Sequence, residues 1–346
     1  MSILNVAFVG LSHYHARDWT QAVAAHPQAR LIGVWDRDAQ LANEFAAAAG
    51  VPAFTFRDEL LAAADVVAIA SVTTDHESDA VAAASAGCHI LLEKPPTVDQ
   101  DALARIAAAV AENRVTFAQN LPKRLDQASI ALRDLVRGGD LGPIISLRLR
   151  HGHSQGWDEG FRSSWFVDPA RAGAGALLDE GIHTLDFCRW LLGEPSWVTA
   201  QTSSQLGLPV EDTALITVGY DDGPLVSITT SWSMAGADGS IEVHGRDASV
   251  DIGGVDMASR FVSGDALVRR IDRVAASRTA ERTWQDLGIT PTFSAGGFHG
   301  LGITDLLDAL VEGRAPAAGL DDAAAALRLV DAAYESARTG RTTWLS

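Results

Sequence analysis

The sequence predicts an α/β chain with a doubly wound parallel sheet first, then an α+β domain whose large open sheet is mostly antiparallel. Short apolar runs alternate with helical segments as far as residue 120. Beyond that residue most predicted strands follow one another with no helix between them. The length of 346 residues also exceeds the range of about 100–200 residues usual for one domain. We therefore expect two domains, residues 1–120 and 121–346.

The first 120 residues have the rhythm of a parallel sheet covered by helices. Apolar runs rich in β-branched residues predict strands at 3–10, 31–36, 66–71, 89–93 and 115–119. Apolar residues at helical spacing predict helices at 15–26, 38–49, 76–86 and 99–113. Strands and helices that alternate in this way form βαβ units, whose strands are parallel.

The rest of the chain predicts a different sheet. After a helix at 126–137, strands are predicted at 144–150, 197–203, 214–220, 225–232, 241–245 and 249–252. The turn Asp221-Asp222-Gly223 between two of them is typical of a hairpin. Two late helices are predicted at 304–312 and 323–339.

Composition and charge exclude several classes of function. The chain has 27 basic and 44 acidic residues, a net charge of −17, which disfavours nucleic acid and anionic membranes as general partners. No run approaches the roughly 18–20 apolar residues of a membrane span, and the first ten residues lack the features of a signal peptide. Two distant cysteines, Cys88 and Cys188, offer no disulfide framework. We expect a cytoplasmic protein.

The turn after the first strand partly matches a dinucleotide-binding fingerprint. In a Rossmann fold the pattern G-x-G-x-x-G brings pyrophosphate to a helix N-terminus. Here Gly10 is present, but Ser12 and His15 replace the other two glycines, so an ordinary loop is an equal alternative. Asp36 follows at about the spacing of the acid that binds the adenosine ribose. This favours NAD over NADP, although Arg37 offers a phosphate partner and Asp36 is also a typical turn cap.

Two further motifs carry groups suited to proton and charge transfer. Glu93-Lys94-Pro95 stands where a buried strand ends, at the edge where open α/β sheets bind ligands. Asp179 and His183 are four residues apart and share one face if the segment 175–186 begins a helix. Taken singly, the lysine is as well explained by exposure to solvent, and the aspartate and histidine by a cap and a buried imidazole.

Together these segments resemble the Gfo/Idh/MocA oxidoreductases, the glucose–fructose oxidoreductase and inositol dehydrogenase group. The resemblance covers most of the chain. It is carried by Asp36, by the segment from Thr73-Thr74-Asp75-His76 to Glu93-Lys94-Pro95, and by AGAGALLDEGIHTLDFCRWLLGEP at 172–195. It implies a Rossmann domain followed by an α/β domain that often forms subunit contacts. It also implies NAD(P)-dependent oxidation of a sugar or polyol hydroxyl, or the reverse reduction.

The resemblance assigns roles to particular residues. Lys94 matches the catalytic lysine, His183 the acid/base and Asp179 the substrate-binding aspartate; the lysine and histidine exchange roles equally well on the sequence. Cofactor binding is assigned to Gly10, Ser12, His13, His15, Asp36, Arg37, Thr73, Thr74, His76, Glu93 and Lys94. Ser12 and His15 depart from the family's glycines, and Ala174 interrupts its later glycine run.

Substrate contacts are expected from a polar, aromatic loop at 151–165 and from the segment after the last strand of the first domain. Aromatic faces and planar donors of this kind hold sugars, although a surface loop has the same composition. The substrate candidates are Lys94, Asn120, Lys123, His153, Trp157, Arg162, Trp165, Asp179 and His183. We expect no metal, because His13 and His15 have no acid nearby in the sequence.

The function predicted is hydride transfer between NAD, which Asp36 favours over NADP, and a sugar, inositol or related polyol. Two alternatives stay open: a sugar lyase or hydrolase that uses NAD transiently, and a non-catalytic regulatory protein that binds NAD or a sugar. The partners expected are a small-molecule substrate and copies of the chain, in a dimer or tetramer formed through the C-terminal sheet.

Overall fold

The computed structural model describes residues 3–235, 239–253, 268–273, 283–289 and 297–345. The strands described are β1 (Leu4–Val9), β2 (Ala29–Trp35), β3 (Val66–Ile69), β4 (His89–Leu92), β5 (Phe117–Gln119), β6 (Ile144–Gly152), β7 (Trp197–Ser203), β8 (Thr213–Gly219), β9 (Leu225–Ser231), β10 (Ile241–Gly245), β11 (Ala248–Ile252), β12 (Val268–Asp272), β13 (Gln285–Asp286) and β14 (Thr343–Trp344).

The α-helices described are α1 (His15–Ala25), α2 (Ala39–Ala49), α3 (Arg57–Leu61), α4 (His76–Ser85), α5 (Gln100–Asn113), α6 (Gln127–Arg137), α7 (Glu159–Arg162), α8 (Pro169–Ala172), α9 (Ala176–Asp179), α10 (Gly181–Leu192), α11 (Gly297–Glu312) and α12 (Leu320–Thr339). Short 3₁₀ helices lie at Thr73–Asp75, Pro122–Arg124, Gln155–Trp157 and Trp165–Val167.

The described residues form two compact units. The first takes its residues from 1–125, 168–173 and 295–327, and the second from 126–167, 174–294 and 328–346. These units are discontinuous in the sequence. The division into residues 1–120 and 121–346 remains a prediction. None of the described helices is both long enough and apolar enough to cross a lipid bilayer.

The first unit contains a five-stranded parallel sheet in the order β2-β1-β3-β4-β5. The parallel sheet predicted from the alternating pattern is therefore confirmed. Alternate residues of β1, Val6 and Phe8, join a core with Trp19 of α1 and with Ile303 and Leu306 of α11. Trp19 Nε1 also donates to the carbonyl of His299, at 3.1 Å, which ties α11 to α1.

The second unit contains a nine-stranded sheet in the order β13-β12-β11-β10-β6-β9-β8-β7-β14. Its pairs are antiparallel except β6 with β9, so the prediction of a mostly antiparallel sheet is confirmed. The predicted hairpin turn joins β8 to β9, and Asp222 adopts a φ of 52° there. Short-range turn chemistry thus sets the register of β8 and β9.

The segment that carries Asp179 and His183 is not one helix. Helix α9 ends at Asp179 and α10 begins at Gly181, with Glu180 between them at φ −101° and ψ −32°. The expectation that the two residues share a face of a continuous helix is therefore wrong. The apolar spacing fits a helix on both sides of the break, so periodicity alone does not reveal the interruption.

The first turn needs glycine at position 10 for two reasons, backbone conformation and close packing. Its φ is +71°, and an added Cβ would lie 2.3 Å from Ser71 Cβ and 2.4 Å from Ser71 N. Gly50 has a similar φ of +69° but open space around it. Gly50→Ala should cost about 1–2 kcal/mol of unfolding free energy from backbone strain alone. Gly10→Ala should cost about 1–3 kcal/mol more, because a backbone contact must also shift. Urea unfolding of both variants measures the difference, and equal losses would contradict the packing explanation.

Candidate active site

A cavity of about 480 Å³ lies at the carboxyl edge of the parallel sheet in the first unit. It is lined by Gly10, Ser12, Trp35, Asp36, Arg37, Asp38, Leu41, Ser71, Val72, Thr74, Asp75, Asp79, Ala170 and Arg171. Five residues predicted to bind a cofactor are therefore in this wall: Gly10, Ser12, Asp36, Arg37 and Thr74. The positive φ of Gly10 leaves the backbone uncovered there, as close approach of a phosphate requires.

The Asp36 carboxylate accepts two backbone N–H groups beside the cavity. One carboxylate oxygen accepts the N–H of Leu11 at 2.6 Å and the other accepts the N–H of Asp38 at 2.8 Å. Burial raises the pKa of Asp36, and these two backbone N–H groups oppose the shift. The residue is thus a turn cap, as one sequence alternative held. Each oxygen has a further lone pair, so capping leaves the carboxylate able to accept a ribose hydroxyl.

Arg37, the possible phosphate partner, has a carboxylate beside it. Its side chain is 71% exposed, and its guanidinium lies 3.4 Å from Asp75 Oδ1. Both residues line the cavity. A second negative group, such as a ribose phosphate, would compete with Asp75 for this cation.

The segment after β3 is fixed by polar contacts. Thr73 is buried, and Thr74 Oγ1 donates to the carbonyl of Arg171 at 3.2 Å. The buried His76 ring has Nδ1 2.9 Å from the Pro95 carbonyl and Nε2 3.1 Å from the Ser71 carbonyl. Burial lowers the pKa of His76, despite these two acceptors. The ring therefore links the end of β3 to the segment that follows Lys94.

Glu93 is the centre of a buried network at the end of β4. Its side chain accepts the Lys94 backbone N–H at 2.9 Å and the Asn120 amide at 2.8 Å. His15 Nδ1 lies 3.0 Å from Glu93 Oε2. Glu93, Lys94, Asn120 and His15 are all buried. The sequence contains only two lysines, Lys94 and Lys123, and Lys94 is 3% exposed. A buried lysine needs a compensating group or a function, since desolvating its charge is costly.

The histidines of the first turn are packed together. The ring centroid of His15 is 4.1 Å from that of His13 and 3.8 Å from that of His299, whose Nδ1 lies 2.7 Å from Asp18 Oδ2. Burial, then the neighbouring His15, lowers the pKa of His13. The acid that stands beside His15 in the structure is Glu93, which is 78 residues away in the sequence. His13, His15 and Glu93 place donor atoms within 4.8 Å of one another.

The second unit gathers a comparable cluster where α9 meets α10. Asp179, Glu180 and His183 are buried beside His151 and His153, which stand at the end of β6 and just after it. Glu180 lies 3.1 Å from His151 Nε2 through one oxygen and 3.4 Å from His153 Nε2 through the other. The rings of His151 and His183 meet edge to face with centroids 5.2 Å apart. The structure thus brings together three predicted site residues, His153, Asp179 and His183.

Asp179 is oriented by a tryptophan from the sheet. Trp232, which follows β9 and is fully buried, donates its Nε1–H to Asp179 Oδ2 at 3.0 Å. One oxygen is thereby fixed by a neutral donor. Trp232 also packs with Val167, Ala176 and Val210 in an apolar cluster, so its position is set by the core.

A second brace holds the start of α9. Glu211 accepts the N–H groups of Gly175 and Leu177 and the hydroxyl of Tyr334, the last at 2.6 Å. Tyr334 Oη in turn accepts the Leu178 N–H at 3.1 Å. Burial raises the pKa of Glu211, and burial together with Glu211 raises that of Tyr334. The backbone that leads to Asp179 is therefore pinned from two sides.

The remaining substrate candidates differ in their surroundings. Trp157 is 61% exposed and donates to the Ser233 carbonyl, whereas Trp165 is buried and stacks on Phe166. Arg162 donates to the Leu206 carbonyl, and Lys123 is half-buried in its 3₁₀ turn. These polar contacts hold the loop to the protein, and the substrate roles of the four residues remain predictions.

Several functional candidates were missed by sequence reasoning. His151, Glu180 and Trp232 surround the predicted residues of the second unit, while His299 and Asp18 extend the histidine cluster of the first. The His-Gly-His spacing at 151–153 is a usable signal, because alternate residues of a strand point to the same face. Trp232 and His299 have no local signal, since their partners are far away in the sequence.

The geometry of the first unit fits a dinucleotide. Its cavity at the sheet edge offers the uncovered Gly10 backbone, the Ser12 hydroxyl and the Asp36 carboxylate, while Lys94 follows the neighbouring strand. Such an edge is where open parallel sheets bind nucleotides. The second unit offers imidazole and carboxylate groups suited to proton transfer and to binding hydroxyls.

Comparison with known proteins gives the same picture. A family model described as an oxidoreductase family with an NAD-binding Rossmann fold matches residues 4–121, and one described as the GFO/IDH/MocA C-terminal domain matches residues 130–251. The 1,5-anhydro-D-fructose reductase of Ensifer adhaerens is 26% identical over 68% of this chain and 72% of its own. The inositol 2-dehydrogenase of Rhizobium meliloti (strain 1021) is 28% identical over 66% of this chain and 70% of its own.

A solved structure resembles nearly the whole chain. GenD2 from gentamicin A biosynthesis, in complex with NAD, is 27% identical with a TM-score of 0.81, covering all of this chain and 97% of its own. The fold, the NAD-binding Rossmann domain and the family resemblance drawn from the motifs are thereby confirmed. The chain belongs to the GFO/IDH/MocA family of oxidoreductases.

Proposed function

We propose that this protein oxidises a secondary hydroxyl of a sugar, an inositol or a related polyol with NAD, or catalyses the reverse reduction. The observation that carries the proposal is the burial of Lys94, Asp179 and His183: the Lys94 backbone bonds Glu93, Asp179 bonds Trp232, and the His183 ring meets that of His151 edge to face. The curated relatives that act on anhydrofructose and inositol support a polyhydroxylated substrate. NAD, when bound, supplies the hydride acceptor.

The side chains divide the work by their chemistry. Asp179, with one oxygen fixed by Trp232, accepts a hydrogen bond from a substrate hydroxyl through its other lone pairs. Lys94 and His183 form the acid–base pair: one takes the hydroxyl proton as hydride leaves carbon, and the other stabilises the developing oxyanion. Glu93 acts through Lys94, since it holds the backbone of that residue.

We propose that NAD is preferred to NADP. Asp36 presents a carboxylate to the cavity, and Arg37 is already paired with Asp75. The ribose phosphate of NADP would be repelled by the Asp36 carboxylate. It would also have to compete with Asp75 for the Arg37 guanidinium.

We further propose a cytoplasmic location and a homo-oligomer. Both cysteines are buried free thiols, as a reducing compartment permits. Leu215 of β8 and Leu225 of β9 are 53% and 55% exposed, and their register places them on one face of the sheet. An exposed apolar face of this kind is typical of a contact between subunits.

The cofactor preference is tested by binding. Wild-type protein should bind NAD⁺ more tightly than NADP⁺, and Asp75→Asn should narrow that difference because it frees Arg37. Removing one largely exposed charge pair of about 0.2–1 kcal/mol corresponds to a change of about 1.4- to fivefold in the ratio of the two dissociation constants. Calorimetry with both nucleotides measures the ratio, with the distant Asp305→Asn as a control. Tighter binding of NADP⁺ by the wild type would refute the role of Asp36.

The chemical roles are tested by kinetics on a panel of aldoses, inositols and sugar acids. Lys94→Ala and His183→Asn should each lower kcat/KM by about 10²–10⁴-fold while nucleotide affinity of His183→Asn stays unchanged. The double variant should lose less than the product of the two factors, since both groups serve one step. Lys94→Arg keeps a cation that does not release its proton, so its activity separates the base from the stabiliser. Wild-type rates in either single variant would sink the mechanism.

The same assay separates the two alternative functions. A dehydrogenase accumulates free reduced nicotinamide, seen by its ultraviolet absorbance, whereas transient use of NAD gives a modified sugar without it. A regulatory protein would bind its ligand with no turnover, and Lys94→Ala would leave its function intact.

The oligomer is tested by sedimentation. Wild-type protein should sediment as a dimer or tetramer, and Leu215→Asp with Leu225→Asp should release single chains, since burying two carboxylates in an apolar contact is costly. Phe56→Asp, at another exposed apolar residue in the first unit, serves as the control. A wild type that sediments as a single chain would contradict the proposal.

A further inference from the structure

Arg171 brings a positive charge to the cavity of the first unit from a distant part of the sequence. It lies in α8, within the segment 168–173, which belongs to the first unit although the residues on both sides of it belong to the second. Arg171 lines the cavity together with Gly10 and Ser12 of the first turn. Neither the glycine fingerprint nor the family resemblance assigns this arginine a role.

The backbone of Arg171 is held by hydrogen bonds on both sides. Thr74 Oγ1 donates to its carbonyl at 3.2 Å, and its own N–H donates to the Asp168 carbonyl at 2.9 Å. The side chain of Arg171 is exposed, and it forms no ion pair with any residue that the structure describes. The backbone is therefore fixed, while the charge stays available to a ligand.

The other charges that face the cavity are already engaged. Arg37 lies 3.4 Å from Asp75, and Arg57 lies 2.7 Å from Asp79. An anionic ligand is repelled by a wall in which carboxylates outnumber cations, unless a cation such as Arg171 receives it. The charged residues of the wall are four carboxylates and two guanidiniums, Asp36, Asp38, Asp75, Asp79, Arg37 and Arg171.

We propose that the Arg171 guanidinium binds the pyrophosphate of NAD, an inference that rests on the proposed binding of NAD in this cavity. NAD has no ribose phosphate, so its pyrophosphate is the anionic group that a cation of the wall meets. A planar guanidinium donates two parallel N–H bonds to phosphate oxygens, which a point charge does not do.

The incomplete fingerprint of the first turn gives this cation a use. The second glycine of a complete fingerprint lets the backbone approach pyrophosphate closely. Ser12 stands at that position and carries a Cβ, and His15 replaces the third glycine. Gly10 alone keeps the expected residue, with a φ of +71°. Arg171, coming from another segment, supplies an attraction that compensates for the lost backbone contacts.

Calorimetry on the full chain tests the contact through Arg171→Ala. Its dissociation constants for NAD⁺ and ADP should rise about three- to tenfold, as for a charge-assisted contact that solvent partly screens. Adenosine, which has no phosphate, should bind the wild type and the variant alike. Arg171→Lys should recover part of the affinity, because it keeps the charge without the planar fork. Arg30→Ala, at an exposed arginine of β2 that donates to Asn5, should bind ADP like the wild type.

The dependence of affinity on salt separates a direct contact from a structural role. Wild-type affinity for ADP should fall more steeply with NaCl concentration than that of Arg171→Ala, because salt screens the charged contact that the variant lacks. Parallel salt dependences would contradict a direct contact. Circular dichroism checks that each variant folds.

The remaining outcomes also decide the proposal. Equal affinities of wild type and Arg171→Ala for ADP, or an equal loss for adenosine, would overturn it. A larger loss for NADP⁺ than for NAD⁺ would place the guanidinium at the ribose phosphate and overturn it too. The expected loss in a protein that oxidises no polyol would refute the proposed function and leave the phosphate contact standing. Polyol oxidation by a protein whose ADP affinity does not depend on Arg171 would do the reverse.

Discussion

The hydrogen bonds of the buried Glu93 carboxylate are the constraint on which the first unit's site depends. Glu93 directly follows β4, and its carboxylate contacts the His15 ring at the start of α1 and the Asn120 amide that follows β5. It also accepts the backbone N–H of Lys94, so the placement of that lysine depends on it. Losing any one of these partners would leave a buried oxygen without its hydrogen bond, which costs about 1–3 kcal/mol. The placement of the lysine proposed to be catalytic and the local stability of the fold therefore depend on the same hydrogen bonds.

The order of strands and helices was predictable because apolar runs record burial directly. The parallel and antiparallel sheets, the hairpin at Asp222 and the placement of Asp36 beside the first turn all follow from local patterns. The departures from the glycine fingerprint also make sense in the structure. His15 takes a place where a glycine is expected, yet its ring bonds Glu93 and stacks on His299.

What the sequence could not provide is the set of long-range polar partners. Glu93 and His15 are 78 residues apart, and Trp232 and Asp179 are 53 residues apart. The break at Glu180 was also hidden, because Leu178 and Ile182 keep helical spacing across it. Helix α11 belongs with the first unit although it lies near the end of the sequence, and its Ile303 and Leu306 complete the core around Trp19. Such contacts depend on the folded topology, and no local pattern encodes them.

The most direct test of the proposed hydride transfer follows the hydrogen atom on the reacting carbon of the substrate. A polyol that the protein turns over, deuterated at the reacting carbon, should give reduced nicotinamide that carries the deuterium, with a slower rate if C–H cleavage limits turnover. Mass spectrometry of the recovered cofactor measures the transfer. Unlabelled reduced cofactor, or a product formed with no deuterium lost from carbon, would contradict hydride transfer and with it the function proposed for Lys94, Asp179 and His183.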